Sequence, residues 1–153
     1  MRNHAEQWKP NVTVAAVVER DGAFLLVEEQ ITDGIRYNQP AGHLEAGESL
    51  VEAVVRETLE ESACDFTPEA LLGVYQYAHP GDGVTYLRFA FTGSLSQPRP
   101  GRKLDQGILR ALWMPVADIR ACRDRHRSPL LMQCVDDYLA GRRHPLQLLH
   151  HHG

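Results

Sequence analysis

Two apolar runs open the chain, VTVAAVVE (12–19) and AFLLVEE (23–29), with the polar pair Asp21-Gly22 between them. β-Branched and aliphatic runs punctuated by Asp-Gly predict a β-hairpin. A second Asp-Gly pair at 33–34 precedes a short extended piece, IRYNQP (35–40). After the glycine-containing loop AGHLEAGE the period lengthens. Val51, Val54, Val55, Thr58 and Ser62 recur at helical spacing and predict a helix from about Ser49 to Ser62 with that stripe on the core. Ser49 and Glu52 form a capping-box pattern at its start.

Strand-like runs return in EALLGVYQY (69–77), TYLRFAFTG (85–93) and ILRALWM (108–114). Between the last two, SQPRPGRKLDQG (96–107) is rich in Pro, Gly and basic residues and predicts an exposed loop. PVADIRACR (115–123) begins with Pro at a helix start, and SPLLMQCVDDYLAG (128–141) predicts a closing helix with Gly141 near its C-cap. Strands outnumber helices and the central helix falls between strands. The expected fold class is α/β (α+β), a mixed β-sheet with helices packed on it. No repeat, low-complexity stretch or linker divides the chain, so a single domain over residues 1–153 is expected.

Composition narrows the function classes. A net charge of −4 argues against a general binder of polymeric nucleic acid or of anionic membranes. The three cysteines, Cys64, Cys122 and Cys134, have no metal-ligand spacing and suit free thiols in a reducing, cytoplasmic setting. MRNHAEQWKPN lacks the apolar run of a signal peptide, and no stretch is long and apolar enough for a membrane span. No segment reads as an obligate interface, so a monomer or small homo-oligomer is expected. No function is assigned to the terminal histidines.

The densest charge lies in RETLEESA (56–63), where Glu57, Glu60 and Glu61 share one helical flank near a C-terminus that disfavours carboxylates. Arg56 has Glu52 and Glu60 at helix spacing, whereas Glu57 and Glu61 have no cation at such spacing. Two carboxylates ~6 Å apart repel by roughly 3 kcal/mol at an effective dielectric near 20. Exposed helix pairs cost only ~0.2–0.5 kcal/mol, so a solvated acidic face is one reading. The other is a site for a hard divalent cation. Glu61 falls beside Val54 at the edge of the buried stripe, where an unpaired charge costs more, and Glu45 and Glu48 add carboxylates from the preceding loop. Clustered Glu without His or Cys suits Mg²⁺ and argues against zinc.

GHLEAGESLVEAVVRETLEESAC (42–64) resembles the signature of the Nudix hydrolase family, G-x5-E-x7-R-E-U-x-E-E-x-G-U with U aliphatic. Gly42, Glu48, Arg56, Glu57, Glu60 and Glu61 fall on its fixed positions. Thr58, Ala63 and Cys64 depart from it, and Ala63 stands where Gly would permit a positive φ after the helix. KPNVTVAAVVE, YNQPAGHLEAGESLVEA, the Trp113-Met-Pro strand end and SPL extend the likeness to a NudJ-type group of phosphatases.

The resemblance implies a Nudix-like α/β/α sandwich. It also implies Mg²⁺, with Mn²⁺ able to substitute, held by Glu57, Glu60 and Glu61 with the Ala41 carbonyl. The implied reaction is attack of metal-activated water on phosphorus in nucleoside di- and triphosphates, or in thiamine diphosphate and its pyrimidine pyrophosphate precursor. Glu57 is the implied general base, with Asp105 in a later loop as the alternative. Arg56 is expected to orient a glutamate, and Glu48 to anchor the loop or hold a second metal.

Tyr37, Asn38 and Gln39 are candidate substrate contacts, although Tyr37 equally suits a packed strand aromatic. Tyr75, Tyr77, Tyr86 and Phe89 are strand aromatics by default, and His43 and His79 lone loop histidines. Arg88, Arg99, Arg102 and Lys103 are either phosphate cations or surface charge. A catalytically silent Nudix-like sensor or binding module is the competing reading, disfavoured by the intact set of charged positions.

Overall fold

The computed structural model describes residues 6–153. Among the described residues eight strands are formed: β1 (Asn11–Ala16), β2 (Glu19–Arg20), β3 (Ala23–Ile31), β4 (Gly34–Asn38), β5 (Ala41–His43), β6 (Phe66–Ala78), β7 (Thr85–Leu95) and β8 (Ile108–Pro115). Three α-helices accompany them, α1 (Leu50–Ser62), α2 (Val116–Ala121) and α3 (Leu130–Leu139).

The first sheet has the order β5-β1-β7-β6 and is mixed, because β1 runs parallel to β7 and antiparallel to β5. A second, antiparallel set joins β2, β3 and β4, with β8 on the other side of β3. The expected mixed α+β fold is found: the first sheet is the mixed one, and a second, antiparallel sheet stands beside it. The expected hairpin shrinks to β2 and β3, turned at Asp21 (φ 52°) and Gly22 (φ 82°). The chain leaves the first sheet at Val17 and Val18, so β1 pairs with β7 some seventy residues on. Turn chemistry at Asp21-Gly22 acts only locally; the partner of β1 is chosen by burial.

Period-two alternation divides the core. On β7, Phe91 packs with Val14, Ala16, Ala53 and Val54 on the α1 side. Ala90 packs with Leu72, Leu131, Cys134 and Val135 on the α3 side. The first sheet is thus sandwiched between α1 and α3.

Helix α1 begins as expected. The Ser49 hydroxyl accepts from the Glu52 N–H and Glu52 accepts from the Ser49 N–H, the reciprocal capping box. Its buried face is Ala53, Val54, Glu57, Thr58 and Ser62, while Val55 is only half-buried. Thr58 is tolerated among apolar residues because its hydroxyl donates back to the Val54 carbonyl at 2.7 Å.

The helix exit explains Ala63. It adopts a left-handed φ of 63° and its N–H closes on the Leu59 carbonyl, so the backbone keeps the conformation that glycine would favour. Ala63→Gly is expected to stabilise the fold by about 1 kcal/mol, read as a rise in Tm, because alanine bears a steric cost there that glycine lacks.

The loop at 96–107 is solvent-facing, as expected, but it is also anchored. The Arg99 N–H donates to the Ala63 carbonyl at 2.8 Å and the Asp105 N–H to the Glu60 carbonyl at 2.9 Å. The end of α1 thereby finds partners for carbonyls it cannot satisfy itself, and the loop is tied down beside the glutamates.

Candidate active site

Gly42 on β5 sits where any side chain would collide with the Glu57 carboxyl group. Absence of a Cβ lets Glu57, on the buried face of α1, press against the strand backbone. One turn on, Glu61 accepts a hydrogen bond from the Ala41 N–H at 2.9 Å. Strand β5 and helix α1 are thus held together at Glu57 and Glu61.

Arg56 organises the remaining carboxylates. Its Nη2 and Nε donate to the two oxygens of Glu48 at 2.6 and 3.0 Å, and Nη1 donates to Glu57 Oε1 at 2.7 Å and Glu60 Oε1 at 3.3 Å. It also donates to the His43 carbonyl at 2.9 Å and lies 3.5 Å from Glu45. The expectation that Glu57 has no internal cation is corrected, because Arg56 reaches it as its neighbour in sequence. The expected Arg56–Glu52 pair does not form, since Glu52 is committed to the helix cap. Glu48 is a loop anchor: both its oxygens are on Arg56, which is the main reason its carboxyl titrates below the ordinary range.

Four carboxylates on one guanidinium leave the site strongly negative. Burial raises the pKa of Glu57 and of Glu60, with Arg56 opposing. Glu61 has no ion-pair partner among the described residues. Burial pushes its pKa up to about 8, opposed by the Ala41 N–H and reinforced by Glu29, Glu57 and Asp105. Carboxylate oxygens of Glu57, Glu60 and Asp105 lie within 4.8 Å of one another. This all-oxygen set, free of His and Cys, fits a hard divalent cation.

A cleft of about 400 Å³ opens against Ala41, Gly42, Glu57 and Glu61. Its other walls include Thr13, Asn38, Arg88 and Arg127 and the rings of His43, Tyr77, His79 and Tyr86. Tyr77 lies opposite Tyr86 in the β6–β7 register, and the His43 and His79 rings stand 6.5 Å from Tyr86 and 6.0 Å from Tyr77. Of the three expected substrate contacts only Asn38 lines the cleft. Tyr37 is packed in the core, with Arg125 over its ring at 4.9 Å. The buried Gln39 carboxamide is engaged by Arg88 and by the Leu131 carbonyl, so it supports the wall from behind.

Glu29, Arg127 and Thr13 carry no signal in the sequence that places them at the cleft, and Arg88 stands there as either a phosphate cation or surface charge. The available signal was parity on β7, where Arg88 shares a face with the buried Ala90.

This fold, with a helix of glutamates clamped to a glycine loop by one arginine, defines a family: the chain belongs to the NUDIX hydrolases, and the NUDIX domain profile matches residues 8–134. It is similar to Phosphatase NudJ of Escherichia coli K12, at 40% identity over 142 residues that cover 93% of this chain and 92% of that one. Among solved structures it is similar to a NUDIX hydrolase from Nitrosomonas europaea, with TM-score 0.92 and 52% identity over 94% of this chain and 98% of that one. The NUDIX domain of Shewanella oneidensis NrtR, described as complexed with ADP ribose, shares the fold at TM-score 0.71 and 16% identity, over 92% of this chain and 93% of that one. The chain is therefore a hydrolase, and no helix among the described residues is long and apolar enough to cross a membrane.

Proposed function

We propose that the chain hydrolyses phosphoanhydride bonds of small nucleoside di- and triphosphates, with thiamine diphosphate and its pyrimidine pyrophosphate precursor as further substrates, in a Mg²⁺-dependent reaction that Mn²⁺ also supports. The observation that carries this reading is the convergence of Glu57, Glu60 and Asp105 beside a cleft walled by cations and aromatic rings. Likeness to Phosphatase NudJ supports the substrate class.

Glu57, Glu60 and Glu61, with the Ala41 carbonyl, are the groups we assign to hold the cation. Bound there, it would neutralise phosphate charge and lower the pKa of the attacking water. Arg56 keeps Glu57 and Glu60 in place while Glu48 fixes Arg56. Water attacks phosphorus, the bridging P–O bond breaks, and one proton must leave the water. Glu57 is poorly suited to take it, because its Oε1 is already held by Arg56 at 2.7 Å. Asp105 has no ion-pair partner among the described residues and sits against both glutamates, which supports the loop alternative as the base. Asp105→Asn is expected to lower kcat by about 10²- to 10³-fold with KM little changed. Near-normal kcat in that variant would return the role to Glu57.

Phosphate release from a panel of nucleotides and thiamine diphosphate, with Mg²⁺ and with EDTA, tests the whole reading. Turnover with Mg²⁺ and its loss in EDTA are expected. Absence of turnover across the panel, with ligands still shifting Tm, would favour a sensor module instead.

A further inference from the structure

Arg88 on β7 is 5% exposed, yet it lines the cleft. Every side-chain partner it has is formally neutral. Nη1 donates to Gln39 Oε1 at 2.9 Å and lies 3.9 Å from Cys134 Sγ, while Nη2 donates to Asn38 Oδ1 at 3.0 Å. Burial raises the Cys134 pKa, so that sulfur stays a neutral thiol. Asp137, the buried acid on this side of the sheet, is spent on the Tyr75 hydroxyl at 2.7 Å, on Gln133, and on Arg142 at 3.5 Å. Arg127, the other arginine of the cleft, differs: it is paired with Glu29 at 3.2 Å.

A guanidinium stays charged in proteins, and burying it without a counter-charge is costly. It has more N–H donors than Gln39 and Asn38 consume, and no buried side-chain nitrogen among the described residues lacks a partner. Nε, the one guanidinium nitrogen without a hydrogen-bond partner, is therefore open to solvent, and the residue borders the cleft. Its place in the sheet fixes where the guanidinium can act. Arg88 lies opposite Thr13, which lies opposite His43 on β5, so Arg88 is two strands, roughly 10 Å, from the strand that carries Gly42. Its guanidinium leans back toward the segment that leads into that strand, through Asn38 and Gln39.

We infer that Arg88 is the counter-charge for a substrate phosphate that the glutamate cluster does not hold, and that Asn38 sets its strength by binding it through a neutral amide. The inference deepens the proposed hydrolase reading and rests on it for the identity of the anion. Fork-shaped N–H donors match phosphate oxygens, and the missing carboxylate leaves the anion's place to the substrate.

Asn38→Asp provides the decisive variant. It keeps the acceptor for Arg88 and for the Gln39 N–H, but puts a carboxylate against the guanidinium. Inorganic pyrophosphate binding is measured in EDTA by calorimetry and by Tm shift, which needs neither metal nor turnover. The wild-type chain should bind. Asn38→Asp should fold and lose on the order of 10- to 100-fold in affinity, Arg88→Gln at least as much, and Arg88→Lys less. Wild-type affinity in Asn38→Asp overturns the inference even if Arg88→Gln fails to fold. Absence of pyrophosphate binding by the wild-type chain in EDTA overturns it as well. Neither outcome bears on whether Mg²⁺-dependent turnover occurs.

Discussion

Glu61→Gln is expected to lose phosphate release by about 10³-fold or more while the folded protein survives, because glutamine keeps the shape and the acceptor for the Ala41 N–H but not the charge. The same substitution should alter stability in a way that separates it from simple damage. Without a divalent ion, folded Glu61 holds its proton up to about pH 8, against an ordinary value of 4.5. Between those values the folded chain binds more protons than the unfolded one. Stability therefore falls as pH rises through that window and levels off above it, with a slope approaching about 1.4 kcal/mol per pH unit. The raised carboxyls of Glu57 and Glu60 add to the fall with the same sign.

Urea unfolding in EDTA from pH 5 to 9 should show this decline in the wild-type chain and a shallower one in Glu61→Gln. Added Mg²⁺ should restore wild-type stability at the alkaline end, because a bound cation favours the ionised form. A flat wild-type profile, or full activity in Glu61→Gln, would remove Glu61 from the site.

Gly42→Ala should be nearly as severe for activity by a different route. Its methyl group would occupy the space of the Glu57 carboxyl, which cannot move freely because Arg56 holds it. Overpacking should cost about 1–3 kcal/mol of stability. Displacing a ligand by even an ångström should lower kcat by about 10²-fold or more. Mn²⁺ affinity, followed by electron paramagnetic resonance, should weaken in step with kcat. If activity falls while Mn²⁺ affinity is unchanged, Glu57 is not a ligand and the collision acts elsewhere.

Much of this site is legible along the chain because its chemistry sits on one helix. Spacing alone places Glu57, Glu60 and Glu61 on a common flank, and Ser49 with Glu52 marks where that helix starts. The wheel position of Glu61 beside Val54 anticipates its burial, and its raised pKa follows from that burial. Asp105 was reachable only as the nearest acid in a polar loop. Its approach depends on backbone hydrogen bonds from that loop to the end of α1, which no local pattern records. Tyr37 and Gln39 show the opposite failure. Their closeness to the glycine loop suggested substrate contact, but strand parity and the partners on α3 and β7 turn them inward.

The sequence by itself determined the elements whose causes are local: the capped helix and its carboxylate register, the Asp-Gly turn, and the glycine that opens the loop before that helix. Tertiary structure alone decided what depends on distant partners. It chose β7 for β1, brought the loop of Asp105 to the glutamates, and surrounded Arg88 with neutral amides. Capping, helical period and turn preference act within a few residues, whereas strand pairing and the electrostatic meaning of a buried charge are set by atoms that only folding brings together.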